Sequence, residues 1–262
     1  MSYGTPQQHY AAPPPAYEEE ARQPLFGSEQ DDDMFKETVA NSPVEIRMQF
    51  VRKVYSILAF QIFGTSLLSA VYMYNGNVKY WVQTHQWMLF VSMFASLGTL
   101  FALMWKARST PLNYGLLALF TLLESHLVGT VVVYNPTTVT FYDKTIVLQA
   151  LVITFGVFVA LTLFTLQSKW DFSGMAPILF AGIWILLLAG IVQIFIPFSK
   201  GFELALAIAG VVIFSGYVIF DTYLIFNRYS PEDYIMASVS LYMDIINLFL
   251  RILQILSAMQ RD

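Results

Sequence analysis

The chain contains no cysteine. That removes disulfides, thiolate metal sites and cysteine nucleophiles from consideration. Charge is also scarce. Only 12% of the residues are charged, against about 25% in soluble domains. There is no glycine-rich phosphate loop and no cytosolic catalytic domain, which argues against a nucleotide-driven pump. The last apolar segment carries no lysine for a Schiff base, which argues against a retinal protein. The long apolar runs lack strand-like alternation, and no internal repeat is evident.

What is present is hydrophobic: 56% of 262 residues, with a mean hydropathy of +0.57. Such a chain is expected to be an all-α membrane protein whose architecture is set by the bilayer. The formal net charge of −4 comes largely from the N-terminal tail and implies no nucleic-acid partner. Seven apolar segments follow the tail, with cores near 50–73, 86–105, 114–134, 145–166, 175–196, 203–226 and 236–256. Each is close to the roughly 20 residues needed to cross the hydrocarbon. Breakers separate them, including Asn75-Gly76, Pro111, Asn135-Pro136, Asp171 to Gly174 and Pro197. The expected architecture is a seven-helix transmembrane domain over 45–262 behind a disordered tail over 1–44.

That tail is rich in Pro, Gln and acid and has too little apolar surface to offset the entropy of ordering. It lacks the apolar stretch of a secretory signal peptide, so the first membrane helix should act as the signal. Pro14-Pro15-Ala16-Tyr17 fits a PPxY pattern, suited to the aromatic groove of a WW domain; the plainer alternative is a proline-rich linker. Basic residues set the orientation. Arg47, Arg52, Lys53, Lys106, Arg108, Lys169 and Arg228 would share one side, against Lys79, Lys144, Lys200 and Arg261, which puts the N-terminus in the cytosol.

The most informative stretch is 212–256, two apolar runs around the turn Asn227 to Asp233. Each run holds one aspartate, Asp221 and Asp244. An ionisable group inside a membrane-length run is costly and marks a functional site by default. Asp221 lies seven residues before Arg228 and Asp244 eight after Met236, so on helices folded back at the turn they sit roughly 10 and 12 Å deep from the same side. Ser240, Asp244, Asn247, Arg251 and Gln254 fall on one helix face and should turn inward. Two carboxylates at one depth cannot both ionise cheaply, and they should titrate as a coupled pair. Ionised, they form a hard oxygen site for transient Ca²⁺. The plain alternative is that each caps a helix or pairs permanently with Arg251 or Lys106.

The stretches FSGYVIFDTYLIF and SLYMDIINLFL resemble the last two helices of the Bax-inhibitor (TMBIM) family, and FVRKVYSILAFQI resembles its lifeguard branch. The resemblance spans about 47–256. It implies that Asp221 and Asp244 form a hydrogen-bonded pH sensor, that Ca²⁺ is a permeant ion, and that a basic residue at the end of the second helix latches the pair. Lys106 is the matching candidate, with Arg108 and Arg251 as alternatives; Arg251 would otherwise close the far side of a pore. It also implies a role in cell death, regulators of cell death as partners, and an intracellular membrane such as endoplasmic reticulum, vacuole or lysosome, or Golgi. The seventh helix is the element whose position pH should bias.

Glu124-Ser125-His126 is the other polar cluster. Glu124 also matches the family and either lines the pathway or braces the bundle, bracing being favoured. His126 has no companion at ligand spacing. Gln61, Gln149 and Gln193 are expected to join helices, and Trp81, Trp87, Trp105 and Trp170 to sit at the membrane interface. No cofactor is expected. The function expected first is a pH-responsive Ca²⁺ leak. The alternatives are a non-conducting adaptor recruiting a WW-domain ubiquitin ligase, and an intramembrane aspartyl protease. The protease ranks last because neither aspartate has the glycine flank such enzymes show.

Overall fold

The structure, a computed structural model, describes residues 38–133 and 142–260. The Pro14-Pro15-Ala16-Tyr17 motif lies outside them. The described residues form eight α-helices and two short 3-10 helices, with no strand among them. The α-helices are α1 Val44–Tyr74, α2 Gly76–Thr84, α3 Trp87–Lys106, α4 Leu112–Val133, α5 Lys144–Gln167, α6 Ala176–Phe195, α7 Lys200–Asn227 and α8 Tyr234–Met259. All but α2 belong to the seven spans long and apolar enough to cross a membrane, and they match the seven segments expected from hydropathy.

The compact unit that holds the helices starts before residue 45. Thr38–Asp262 form one compact unit. Within it Val39 is fully buried, and its N–H donates to the Tyr229 carbonyl at 2.9 Å. Helix α1 has 31 residues, roughly 46 Å at 1.5 Å per residue. That exceeds the roughly 30 Å of hydrocarbon, so its first turns, with Arg47, Arg52 and Lys53, reach the membrane surface.

Capping residues set the starts of several helices. Asn75 Oδ1 accepts from Asn77 N at 3.1 Å and opens α2. Asp143 Oδ1 accepts from Thr145 N at 2.9 Å before α5, and Ser199 Oγ accepts from Phe202 N at 3.4 Å before α7. Each satisfies a helix-start N–H that has no intrahelical acceptor.

Burial decides which helix is central. In the best apolar window of α8, 56% of residues are buried inside the protein, against 17% for the span containing α6. Accordingly α8 packs on α7, α1, α5 and α4, whereas α6 leans on α7 and the Phe172–Met175 turn. On α1 the buried residues Phe50, Val54, Leu58, Gln61, Thr65, Ser69 and Tyr72 recur at steps of four and three, which makes one seam. The outer surface is apolar. Phe60, Phe94, Phe101, Phe155 and Phe180 are each more than 60% exposed, as lipid contact requires.

Candidate functional site

Asp221 and Asp244 meet across the α7–α8 contact. The side chains lie within hydrogen-bond reach of each other, and the residues are 8% and 6% exposed. A carboxylate only accepts, so such a contact holds only if one proton is shared between the two. Without it Asp244 Oδ2 is buried with no other partner. No lysine or arginine is ion-paired to either aspartate among the described residues. Both helices are continuous here because their interiors lack proline and carry apolar residues at nearly every other position.

The rest of the polar stripe on α8 lies half-buried along the same seam. Asn247 donates its Nδ2 to the Met243 carbonyl at 2.8 Å. Ser240 lies beside the hydroxyl of Tyr229 in the turn. Arg251 donates from Nη1 to Gln254 Oε1 at 3.2 Å. Its stem crosses α7 at Gly210, where an added Cβ would come within 2.8 Å of Arg251 Cγ and Cδ. Arg251 is seven residues from Asp244, about 10 Å along the axis, and the structure does not bring it to the pair.

The expected latch is placed elsewhere. Lys106 Nζ lies 5.2 Å from the ring centroid of its neighbour Trp105. Arg108 grips Asp233 through two bonds, Nε to Oδ1 at 2.9 Å and Nη2 to Oδ2 at 3.0 Å, with Glu232 at 3.9 Å. The bidentate fork of arginine favours this carboxylate in the turn just before α8 over the deep pair. Arg108 thus ties the α3–α4 loop to the start of α8 rather than to the aspartates.

The Glu124 cluster works as a brace in this structure. Ser96 Oγ donates to Glu124 Oε1 and joins α3 to α4. Ser125 and Thr65 hydroxyls bond at 2.9 Å, and Thr65 reaches Tyr242 at 2.8 Å, linking α4, α1 and α8. His126 Nδ1 is 2.8 Å from the Tyr72 hydroxyl. Gln61 donates to Thr121 Oγ1 at 3.1 Å and Gln193 to Glu203 Oε1 at 2.8 Å, so both join helices. Gln149 does not: it is exposed on α5, where a four-residue step from buried Ala150 and Ile146 would have put it inside only by a rotation of the helix.

Two groups near the pair escaped the sequence reading. Tyr217, one turn before Asp221, and Tyr229, in the turn, both lie in the field of the two aspartates. Burial pushes the Tyr229 hydroxyl up to about 12, and the charges of Asp221, Asp233 and Asp244 act in the same direction. It is therefore a neutral hydrogen-bonding group at cellular pH. The i−4 spacing of Tyr217 was a usable signal; Tyr229 could be placed only once the turn was folded. As for a metal, no three His, Asp or Glu residues converge among the described residues. Ca²⁺ takes about 6–8 oxygens, more than the four that two carboxyls supply.

A family model described as "Inhibitor of apoptosis-promoting Bax1" matches residues 47–262. The chain is 45% identical over 232 residues to "Bax inhibitor 1" of Schizosaccharomyces pombe, covering 88% of this chain and 85% of that protein. It is likewise 45% identical over 232 residues to "Protein lifeguard 4" of Mus musculus, covering 88% and 94%. It is 42% identical over 227 residues to the "Golgi anti-apoptotic protein" of Vaccinia virus, covering 87% and 92%.

Proposed function

The chain belongs to the Bax-inhibitor family, which includes the lifeguard proteins, and from that membership we propose that it is a pH-responsive Ca²⁺ leak channel that restrains cell death. It is a multi-pass membrane protein. The names of its relatives support an anti-apoptotic role, and one of them supports the Golgi as the membrane concerned. The role is regulatory rather than enzymatic. Basic-residue asymmetry sets the N-terminus in the cytosol, with the aspartates in the cytosolic half. Protease protection of terminal tags on sealed vesicles checks that orientation.

One observation carries the channel reading: two buried carboxyls meet on adjacent membrane helices, with no cation ion-paired to them among the described residues. With a shared proton they attract, through a short charge-assisted hydrogen bond. Without it they repel, and the repulsion must be met by water or a cation. Proton loss therefore biases the α7–α8 contact and opens a wet, acidic patch that Ca²⁺ can visit.

The test is Ca²⁺ flux from liposomes containing purified protein, measured from about pH 5 to pH 8. Asp221→Asn and Asp244→Asn should each alter the pH dependence, and the double variant should resemble a single one. If both single variants kept the wild-type curve, the aspartates would be structural. No flux from the wild type at any pH would leave the non-conducting adaptor as the better reading.

A further inference from the structure

A cleft of about 340 Å³ opens at the membrane end where α1 begins and α5 and α7 finish. We propose that this cleft binds the phosphodiester of a membrane phospholipid headgroup. Its size is at the lower end of ligand cavities, roughly 300–1,000 Å³. The site lies apart from the aspartate pair and does not depend on the channel reading.

Two cations line it, Arg47 from α1 and Lys169 from the loop after α5. Arg47 rests its guanidinium 5.9 Å from the centroid of the Phe226 ring, and among the described residues the ion pairs belong to Arg108 instead. The floor is polar. Thr222 lines the cleft, is fully buried, and has an Oγ1 with no completed hydrogen bond. The Tyr55 hydroxyl, from α1, lies within hydrogen-bond reach of the hydroxyls of Thr222 on α7 and Thr162 on α5. Three hydroxyls from three helices thus meet at the Thr222 wall of the cleft, and of the three Thr222 is the lining residue. A hydroxyl can donate as well as accept, so the Thr222 wall is suited to an incoming acceptor.

The acidic group in the cleft defines the ligand further. Asp171 accepts from the Ser173 N–H at 2.9 Å. That bond, with others from Tyr223 and the Ser173 hydroxyl, holds its carboxyl down at about 2. It remains charged, with Arg228 acting on it and Arg47 and Lys169 lining the same cleft. A polyanion is therefore disfavoured, whereas a phosphodiester carrying an ammonium or hydroxyl substituent is matched at both ends. Position adds the source. Trp170, 73% exposed, stands at the mouth, as aromatic residues do at headgroup level. Basic pockets between membrane helices at that level hold lipid headgroups.

The experiment titrates full-length protein in detergent micelles with dioctanoyl-phosphatidylserine, dioctanoylglycerol and inorganic phosphate, reading affinity by thermophoresis. Saturable binding is expected for phosphatidylserine, none for the phosphate-free lipid, and at least about tenfold weaker binding for inorganic phosphate. Arg47→Gln with Lys169→Gln should weaken binding about 30-fold, near fivefold for each cation. Lys200→Gln, at the opposite end of α7, should change nothing. Thr222→Val, which keeps all charges, should weaken binding several-fold and guards against a loss of fold in the double variant. Equal binding by wild type and the double variant, or by dioctanoylglycerol and phosphatidylserine, overturns the proposal. Inorganic phosphate binding as tightly as the lipid overturns the lipid assignment.

Discussion

Replacing Asp221 by asparagine and by alanine separates a shared proton from mere proximity. The amide introduced by Asp221→Asn would still present an N–H to Asp244 Oδ2, the oxygen that is otherwise buried without a partner. That substitution should therefore cost under about 1 kcal/mol. Asp221→Ala removes the partner and leaves a carboxyl that is only 6% exposed. A buried polar group left unsatisfied costs about 1–3 kcal/mol, and the smaller side chain adds a small cavity. Asp244→Ala strands Asp221 in the same way.

The double alanine variant strands nothing. Its loss should be no larger than that of one single variant, so the cycle should return a coupling of about 1 kcal/mol or more. The lower part of the range is the better expectation, because groups in the membrane-embedded unfolded chain also find partners, and interhelical bonds there average about 0.6 kcal/mol. The assay is equilibrium unfolding in mixed micelles at one fixed pH, followed by far-ultraviolet circular dichroism. Equal losses for the Asn and Ala variants, together with additivity in the double, would show that the carboxyls do not touch.

Other expectations follow from single residues. Asp171 is held down at about 2 by hydrogen bonds, so its contribution is present above its ordinary value near 4 and is lost only as pH falls towards 2. Asp171→Asn should leave the flux profile unchanged from about pH 5 to pH 8, and a shifted profile would move the sensor to this loop. Gly129→Ala places a Cβ 2.9 Å from Tyr72 Cδ2, on a ring tied to His126 at 2.8 Å; overpacking of about 1–3 kcal/mol should outweigh the ~1 kcal/mol gained in helix propensity. Gly156→Ala, with open space around it, should gain up to about 1 kcal/mol in the same unfolding assay, and equal gains at both glycines would refute the packing argument. Tyr17→Ala should abolish binding of a tail peptide to a WW domain, read by fluorescence anisotropy, and unchanged affinity would return the segment to a linker. Spin-label pairs from α7 to α4 and from α8 to α4 should show the α7–α4 distance changing with pH while the α8–α4 distance holds, and the reverse pattern would contradict the hydroxyl anchoring of α8.

The seven spans were legible because a bilayer requires long apolar runs and tolerates little else. That the two aspartates face each other at one level was legible too, because a closed turn at Asn227 to Asp233 makes counts from its two ends comparable. Helix α2 was not. Nine residues with both polar and apolar character give no hydropathy signal, and Asn75-Gly76 reads as a turn. The side chain of Asn75 caps the next helix instead, accepting from Asn77 N and Val78 N at 3.1 and 3.3 Å; an Asn before such a segment fits either role. The partner of Arg108 was out of reach for a different reason. It depends on where the α3–α4 loop meets the α7–α8 turn, and neither loop carries a periodic pattern. Gln149 misled because glutamine suits both a helix contact and the watery edge of a membrane, and only the rotation of α5 decides between them.

The two sides of α8 are held by different chemistry. Towards α1 and α4 it is fixed by neutral bonds: Tyr242 to Thr65 at 2.8 Å, and Ser238, which donates to the Val54 carbonyl at 3.3 Å. These do not change with protonation across cellular pH, since hydroxyls of this kind stay neutral. The Arg108–Asp233 fork adds an exposed tie at its start, worth about 0.2–1 kcal/mol. Towards α7 the polar contact is the carboxyl pair, which does change. Helix α7 carries α6, the least buried span, on its outer side. A repulsion between Asp221 and Asp244 therefore meets greater resistance from α8 than from α7. The last helix is the more natural guess when hydropathy alone is read, because it bears the polar stripe. Its hydroxyl anchors point the other way: if proton loss drives the two carboxyls apart, α7 with α6 is expected to move and α8 to stay.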